Sequence, residues 1–119
     1  MLGLRTTIYK VNDLQQAVVW YSKVFERAPY FNTPAYVDFS IKGHELVLLP
    51  ENNTTEKVDN ILSYWAVEKM QDSYECLLKL DRRTHQFPKH VGGGIMPASV
   101  LDPWNNVLGS IYNPTFKVL

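Results

Sequence analysis

Glu45 is the residue whose type and position best suit acid–base chemistry. A carboxylate that faces an apolar cavity has a raised pKa and can accept a proton from a substrate. The turn at Gly43-His44, directly before Glu45, instead favours a solvent-exposed side chain. Asp38 belongs with Tyr36 and Ser40 to the polar side of a strand-like segment. These polar side chains either form hydrogen bonds with a ligand or face water.

The histidines and the cysteine do not form a catalytic or metal-binding motif. His44, His85 and His90 fall in turn-like segments without His-x-His or His-x3-His spacing, so we expect surface histidines. Cys76 lies in the middle of a helical segment among apolar residues, which predicts a small buried side chain rather than a nucleophile. The sequence therefore presents no complete catalytic constellation.

The composition narrows the classes of partner. Twelve Lys and Arg residues balance twelve Asp and Glu residues, so there is no basic surplus for nucleic acid. A single cysteine excludes an internal disulfide and, with no signal segment, predicts a cytoplasmic protein. The apolar runs are much shorter than the roughly 20 residues that cross a bilayer, so no membrane is expected. The length of 119 residues suits one domain.

The first half predicts one strand, one helix and three further strands. Residues 2–11 are rich in β-branched and aromatic residues, and Asp13 is a suitable N-cap for the amphipathic helix that follows. Pro29 prevents this helix from continuing. The three extended stretches that follow are residues 30–33, 35–42 and 44–50. Residues 36–41 alternate apolar and polar side chains with a period of two.

The second half repeats this pattern after a polar linker at residues 51–60. A strand in 61–70 matches the first strand, and a helix opened by Asp72 matches the helix capped by Asp13, so that Asp72 corresponds to Asp13. A turn-like region and strands in 95–101 and 106–112 follow. We therefore predict an α+β domain spanning 1–119, with βαβββ modules at about 1–50 and 61–119. Their curled mixed sheets are expected to surround a shared cavity.

Two local motifs resemble the vicinal oxygen chelate superfamily, which contains glyoxalase I, bleomycin- and fosfomycin-resistance proteins and extradiol dioxygenases. The first is Val11-Asn12-Asp13-Leu14 before a helix that contains Trp20-Tyr21. The second is the turn Asp102-Pro103-Trp104-Asn105-Asn106, which is usually Asp-Pro-x-Gly-Asn in that superfamily. Asn105 stands at the glycine position, and asparagine accepts a left-handed backbone. The resemblance covers essentially the whole chain.

The resemblance also implies where a metal ion would bind. Metal-dependent members supply a His, Gln or Glu from the first strand of each module and a Glu from each last strand. The corresponding positions here are Thr6, Glu45, Trp65 and Gly109. Threonine is a poor neutral ligand, tryptophan offers no acceptor and glycine has no side chain, so we expect no metal ion. In this interpretation Gly109 opens space beside Trp65.

We therefore expect a protein with a degenerate metal site that binds a small aromatic or amphipathic molecule, as a homodimer. The alternative is a lyase, isomerase or dioxygenase of the same superfamily that holds one divalent metal ion through other residues, such as Glu45 and a histidine. Trp65 either stacks on a ligand or fills the core, and Trp104 is expected to be an exposed contact or lid residue. The candidate pocket residues are Thr6, Ile8, Tyr36, Asp38, Glu45, Val47, Trp65, Val67, Trp104 and Gly109.

Overall fold

A computed structural model describes residues 1–58, 61–80 and 83–116. The chain divides into two compact units, Met1–Glu56 and Lys57–Leu119. In the described residues, each unit contains one helix and one open four-stranded mixed sheet in the order predicted for a βαβββ module. The predicted α+β class is confirmed. No helix of the described residues is long and apolar enough to cross a membrane.

The first unit has its four strands in the order β1-β4-β3-β2. Strand β1 is parallel to β4, and the other neighbours are antiparallel. The elements are β1 (Thr6–Val11), α1 (Leu14–Phe25), β2 (Phe31–Thr33), β3 (Tyr36–Ile41) and β4 (His44–Pro50). All five were predicted from the sequence, with β1 shorter than expected.

Helix α1 covers one face of this sheet. The Asp13 carboxylate caps the helix by accepting from the N–H of Gln16 at 3.1 Å, as predicted. The helix ends where Glu26 adopts a left-handed conformation. Tyr21 of α1 is fully buried and stacks on Tyr9 of β1, with 5.7 Å between ring centroids. Tyr9 therefore marks the side of the sheet that faces the helix.

The strand register extends this assignment to the other strands. Tyr9 lies opposite Leu48 of β4, and Leu48 lies opposite Val37 of β3. All three side chains are buried. Because successive strand residues point to opposite faces, the intervening residues of β1, β3 and β4 point away from α1. The alternation predicted for residues 36–41 is thereby confirmed.

The second unit has its strands in the order β5-β8-β7-β6, with β5 parallel to β8. Its elements are β5 (Tyr64–Ala66), α2 (Met70–Leu80), β6 (Thr84–Gln86), β7 (Met96–Leu101) and β8 (Val107–Tyr112). The predicted strands β7 and β8 are confirmed. Strand β6 lies in the region predicted as turn-like. Its three residues are too few to establish a periodic pattern, so the sequence did not predict this strand.

The start of α2 differs from the prediction. The helix begins at Met70, so Asp72 lies in its first turn and does not open it. Aspartate is favourable in both positions, and the sequence pattern did not separate them. Asp13 precedes α1 whereas Asp72 lies within α2, so the two aspartates are not equivalent. Cys76 is exposed, contrary to the prediction, because its neighbour Leu77 occupies the buried side of α2.

The turn between β7 and β8 folds around a buried aspartate. Asp102 is fully buried, and its Oδ1 accepts from the N–H groups of Trp104 at 2.9 Å and Asn106 at 2.7 Å. Asn105 has φ 67°, so the predicted left-handed conformation is confirmed. Trp104 is only 9% exposed, which corrects the expectation of an exposed contact or lid residue. The hydrogen bond from the N–H of Trp104 to the buried Asp102 carboxylate holds this residue against the protein.

Candidate functional site

The face of the first sheet that points away from α1, here called the non-helix face, combines apolar and polar side chains. Its central row runs across all four strands in register, through Ile8, Val47, Asp38 and Phe31. Val47 and Asp38 are each 2% exposed, whereas Ile8 is 53% and Phe31 49% exposed. The adjacent row contains Thr6, Glu45 and Ser40. Six predicted pocket residues, including Tyr36, belong to β1, β3 and β4 on this face.

Three hydroxyl groups form hydrogen bonds with two carboxyl groups on this face. The hydroxyl of Tyr30 lies 2.6 Å from Oδ2 of Asp38 and 3.1 Å from Oε2 of Glu45. Tyr36 donates to the same Oδ2 at 3.2 Å, and Thr6 donates to Oε1 of Glu45 at 2.9 Å. These five residues are called the carboxyl cluster. The cross-strand pair of Thr6 and Glu45 brings together the two positions that the resemblance assigned to the first module.

The two carboxyl groups have different proton affinities. Burial raises the pKa of Asp38, while the hydrogen bond from Asp38 lowers the pKa of Glu45. The hydrogen bond to Asp38 is also the main cause of the raised pKa of Tyr30. Oδ1 of Asp38 is buried, and no hydroxyl or N–H group of the described residues reaches it. Of the two carboxyl groups, Asp38 is therefore the one more readily protonated and Glu45 the one more readily ionised.

We expect the free energy of unfolding of Asp38→Asn, measured relative to that of the unmodified protein, to increase as the pH rises. Asp38 has a folded pKa above its ordinary 3.8, so its contribution to stability is lost as the pH rises through that folded pKa. Asparagine stays neutral and can still donate to Glu45. Urea unfolding at about pH 4 and about pH 7 should show the variant gaining on the unmodified protein. A difference independent of pH would contradict the assignment.

In the second sheet, Trp65 and Gly109 lie in different rows. Trp65 is opposite Ser110, whose hydroxyl contacts the sulfur of Met70 in α2 at 3.7 Å. Residues opposite each other share a face, so Trp65 belongs to the row that faces α2. Tyr64, rather than Trp65, is opposite Gly109. The interpretation in which Gly109 and Trp65 line one space is therefore wrong.

Gly109 is required by a close approach of the neighbouring strand segment. A Cβ atom at this position would lie 2.5 Å from the carbonyl oxygen of Ser63 and 2.8 Å from the ring of Tyr64. Contacts this short between non-bonded atoms are not tolerated without movement of the backbone. Gly109 thus lets β5 pack against β8 and does not open space beside Trp65. The predicted match of Asp72 with Asp13 shifted β5 by one residue relative to β8, so that Trp65 was assigned the place that Tyr64 occupies.

The remaining polar candidates form pairs within their own sheets. His44 begins β4 and contacts the hydroxyl of Thr7 at 3.0 Å, and His85 lies in β6 with its Nδ1 2.8 Å from the hydroxyl of Ser99. Both histidines belong to strands, which corrects the prediction that they lie in turns.

The predicted pocket residue Val67 follows β5. Its backbone N–H donates to the carbonyl oxygen of Ile111 at 2.9 Å, which extends the pairing of β5 with β8.

The four positions implied for a metal ion do not fit a divalent cation. The oxygens of Glu45 already accept hydrogen bonds from Thr6 and Tyr30. Gly109 offers no side chain, and the register removes Trp65 from its row. Over residues 1–58, 61–80 and 83–116, no three His, Cys, Asp or Glu side chains gather where they could hold a metal ion. Hard and borderline cations need several such donors together.

Sequence reasoning missed two residues of this surface, Tyr30 and Phe31. Tyr30 precedes β2, and its backbone N–H donates to the carbonyl of Asp38 at 3.0 Å. Phe31 is opposite Asp38, and its ring lies 5.8 Å from that of Tyr36. Strand β2 has only three residues, so its register with β3 could not be read from a periodic pattern.

Comparison with solved structures shows the fold of the vicinal oxygen chelate superfamily. A glyoxalase-related enzyme from Fulvimarina pelagi is 15% identical, with TM-score 0.80, covering 100% of this chain and 94% of that one. The fosfomycin resistance protein FosX from Mesorhizobium loti is 15% identical, with TM-score 0.74 and coverage of 97% and 95%. Lactoylglutathione lyase from Agrobacterium tumefaciens is 13% identical, with TM-score 0.71 and 94% of each chain covered. No family profile and no curated protein sequence matches the chain.

Proposed function

We propose that this chain binds a small amphipathic molecule on the non-helix face of its first sheet, without a metal ion. The observation that carries the proposal is the composition of the central row, in which exposed Ile8 and Phe31 flank buried Val47 and Asp38. Binding sites for small molecules are typically apolar surfaces with a few polar groups that fix orientation. The carboxyl cluster supplies such groups beside the apolar side chains.

The fold neighbours are consistent with a small-molecule site, since their names include resistance to fosfomycin and to bleomycin. In this chain, the glutamate at the metal-ligand position is instead part of a hydroxyl-bonded cluster. The proposed site therefore uses Glu45 as a hydrogen-bond acceptor for the ligand. The expected homodimer also stays a prediction.

A matched pair of substitutions tests this location. Ile8→Thr removes apolar contact area from the site, whereas Val19→Thr makes a similar change on the exposed side of α1, where Val19 is 57% exposed. We expect Ile8→Thr to weaken binding of an amphipathic compound by about threefold to tenfold and Val19→Thr to leave it unchanged. NMR titration of the ¹⁵N-labelled protein with a panel of small aromatic amines, alcohols and acids measures both.

The same titration, before and after dialysis against EDTA, separates the proposal from the metal-dependent alternative. We expect the backbone amides of β3 and β4 to shift equally in both samples. Binding that disappears with EDTA and returns with added Zn²⁺ or Mn²⁺, together with stoichiometric metal in protein purified without chelator, would establish the metal-dependent enzyme instead. Equal losses in Ile8→Thr and Val19→Thr would place the site elsewhere.

A further inference from the structure

We propose that the ligand of the carboxyl cluster is a protonated amine attached to an apolar or aromatic body. This inference rests on the proposed function and names its ligand class. It follows from the charge of the cluster, from an acceptor atom without a partner and from the aromatic rings around them. The ammonium group would bind between Asp38 and Glu45, and the apolar body would extend along the central row over Val47 toward Ile8.

The carboxyl cluster has unused capacity for a cationic donor. In the part of the chain that the structure describes, Asp38 and Glu45 accept hydrogen bonds from the neutral hydroxyl groups of Thr6, Tyr30 and Tyr36. Within that part, the other hydrogen-bond partner of the Glu45 carboxyl group is Asp38. The charge of Arg5 is a smaller influence on Glu45 than the hydrogen bond from Asp38. Oδ1 of Asp38, a side chain only 2% exposed, accepts no hydrogen bond from these groups. An ammonium group brings three donors and the charge that a carboxylate prefers.

Three aromatic residues lie beside Asp38, and one of them also reaches Glu45. The hydroxyl of Tyr30 lies within hydrogen-bonding distance of both, Phe31 is opposite Asp38, and Tyr36 donates to Asp38. The rings of Phe31 and Tyr36 meet edge to face, at an interplanar angle of 71°. Ring faces attract cations, and a carboxylate beside several rings favours an ammonium group over a neutral or anionic group of the same size.

Tyr30 controls access to the two carboxyl groups. Its side chain is 62% exposed while its hydroxyl is within hydrogen-bonding distance of both. An ammonium group that reaches Asp38 and Glu45 must displace this hydroxyl. Tyr30→Phe removes the competing donor and keeps the ring, so it should strengthen amine binding. Glu45→Gln removes the carboxylate and should weaken it. The two substitutions therefore have opposite predicted effects.

Three probes of similar size test the proposal, namely 2-phenylethylammonium, 2-phenylethanol and 3-phenylpropionate, each titrated into the ¹⁵N-labelled full chain at neutral pH. We expect the ammonium probe to bind at least about tenfold more tightly than the other two. Glu45→Gln should lower its affinity by about tenfold, and Tyr30→Phe should raise it by about threefold. Glu56→Gln, which removes an exposed carboxylate elsewhere in the first unit, should change nothing.

Each other outcome contradicts a defined part of the proposal. Equal binding of the three probes at β3 and β4 overturns the amine specificity and leaves the proposed function standing. Equal loss in Glu45→Gln and Glu56→Gln overturns the role of the cluster and indicates net charge alone. Shifts confined to other residues overturn the location. Absence of binding by all three probes and by the wider panel, in a protein with dispersed amide signals, overturns the amine proposal and the proposed function together.

Discussion

Gly109→Ala is expected to lower the free energy of unfolding by about 2 kcal/mol or more. The added Cβ would lie 2.5 Å from the carbonyl oxygen of Ser63, and a backbone atom cannot move away without disturbing the pairing of β5 with β8. The Tyr64 ring, 2.8 Å from the same point, adds a second contact. Urea unfolding followed by far-ultraviolet circular dichroism measures the loss.

Two further variants identify the cause of this loss. Gly109→Ala combined with Tyr64→Ala removes the ring contact but not the contact with Ser63, so the double variant should remain destabilised. Ser40→Ala, at an exposed strand position of the first sheet, serves as the control and should unfold close to the unmodified protein. An unchanged midpoint for Gly109→Ala would contradict the register of β5. Gly109→Glu should likewise destabilise the chain and fail to create a metal site.

Asp102→Ala is expected to destabilise the second unit by about 2–4 kcal/mol. The substitution removes the acceptor for the N–H groups of Trp104 and Asn106, and Oδ2 also accepts from the side-chain amide of Asn106 at 2.8 Å. Asp102 is fully buried, so water cannot readily replace these bonds. Thermal and urea unfolding should both show the change.

Asn105→Gly provides the matched control in the same turn. Asn105 already has a left-handed backbone at φ 67°, which glycine adopts without steric cost. The substitution loses the 2.6 Å hydrogen bond from Arg83, but both residues are exposed there, so the effect should be small. A loss as large as that of Asp102→Ala would show that the turn depends on Asn105 rather than on the buried carboxylate.

The candidate site was partly predictable because strand alternation is a local property. The period of two in residues 36–41 assigned Tyr36, Asp38 and Ser40 to one face, and the register confirms it. The pairing of Thr6 with Glu45 was available only through the family resemblance, since a parallel pair 39 residues apart has no local signal. Tyr30 was not identified, because its role depends on a hydrogen bond to a neighbouring strand.

The second unit shows how a small error in register changes the interpretation of a site. Taking Asp72 as equivalent to Asp13 shifted β5 relative to β8, although α2 already begins at Met70, ahead of Asp72. A shift by one residue moves every side chain of a strand to the other face. The sequence-based prediction therefore assigned Trp65 to the same face as Gly109, whereas Trp65 lies on the helix side of the sheet. The space inferred between the two residues does not exist.

The order of the major elements, the cap at Asp13 and the left-handed residue at Asn105 can be predicted from the amino-acid sequence alone, because they depend on the backbone preferences of neighbouring residues. The folded sheets alone reveal which strand residues lie opposite one another, that Gly109 is opposite Tyr64, and that the hydroxyl of Tyr30 lies within hydrogen-bonding distance of two carboxyl groups. Those features arise when strands distant in sequence pair in one register, and that register is fixed by packing over the whole sheet.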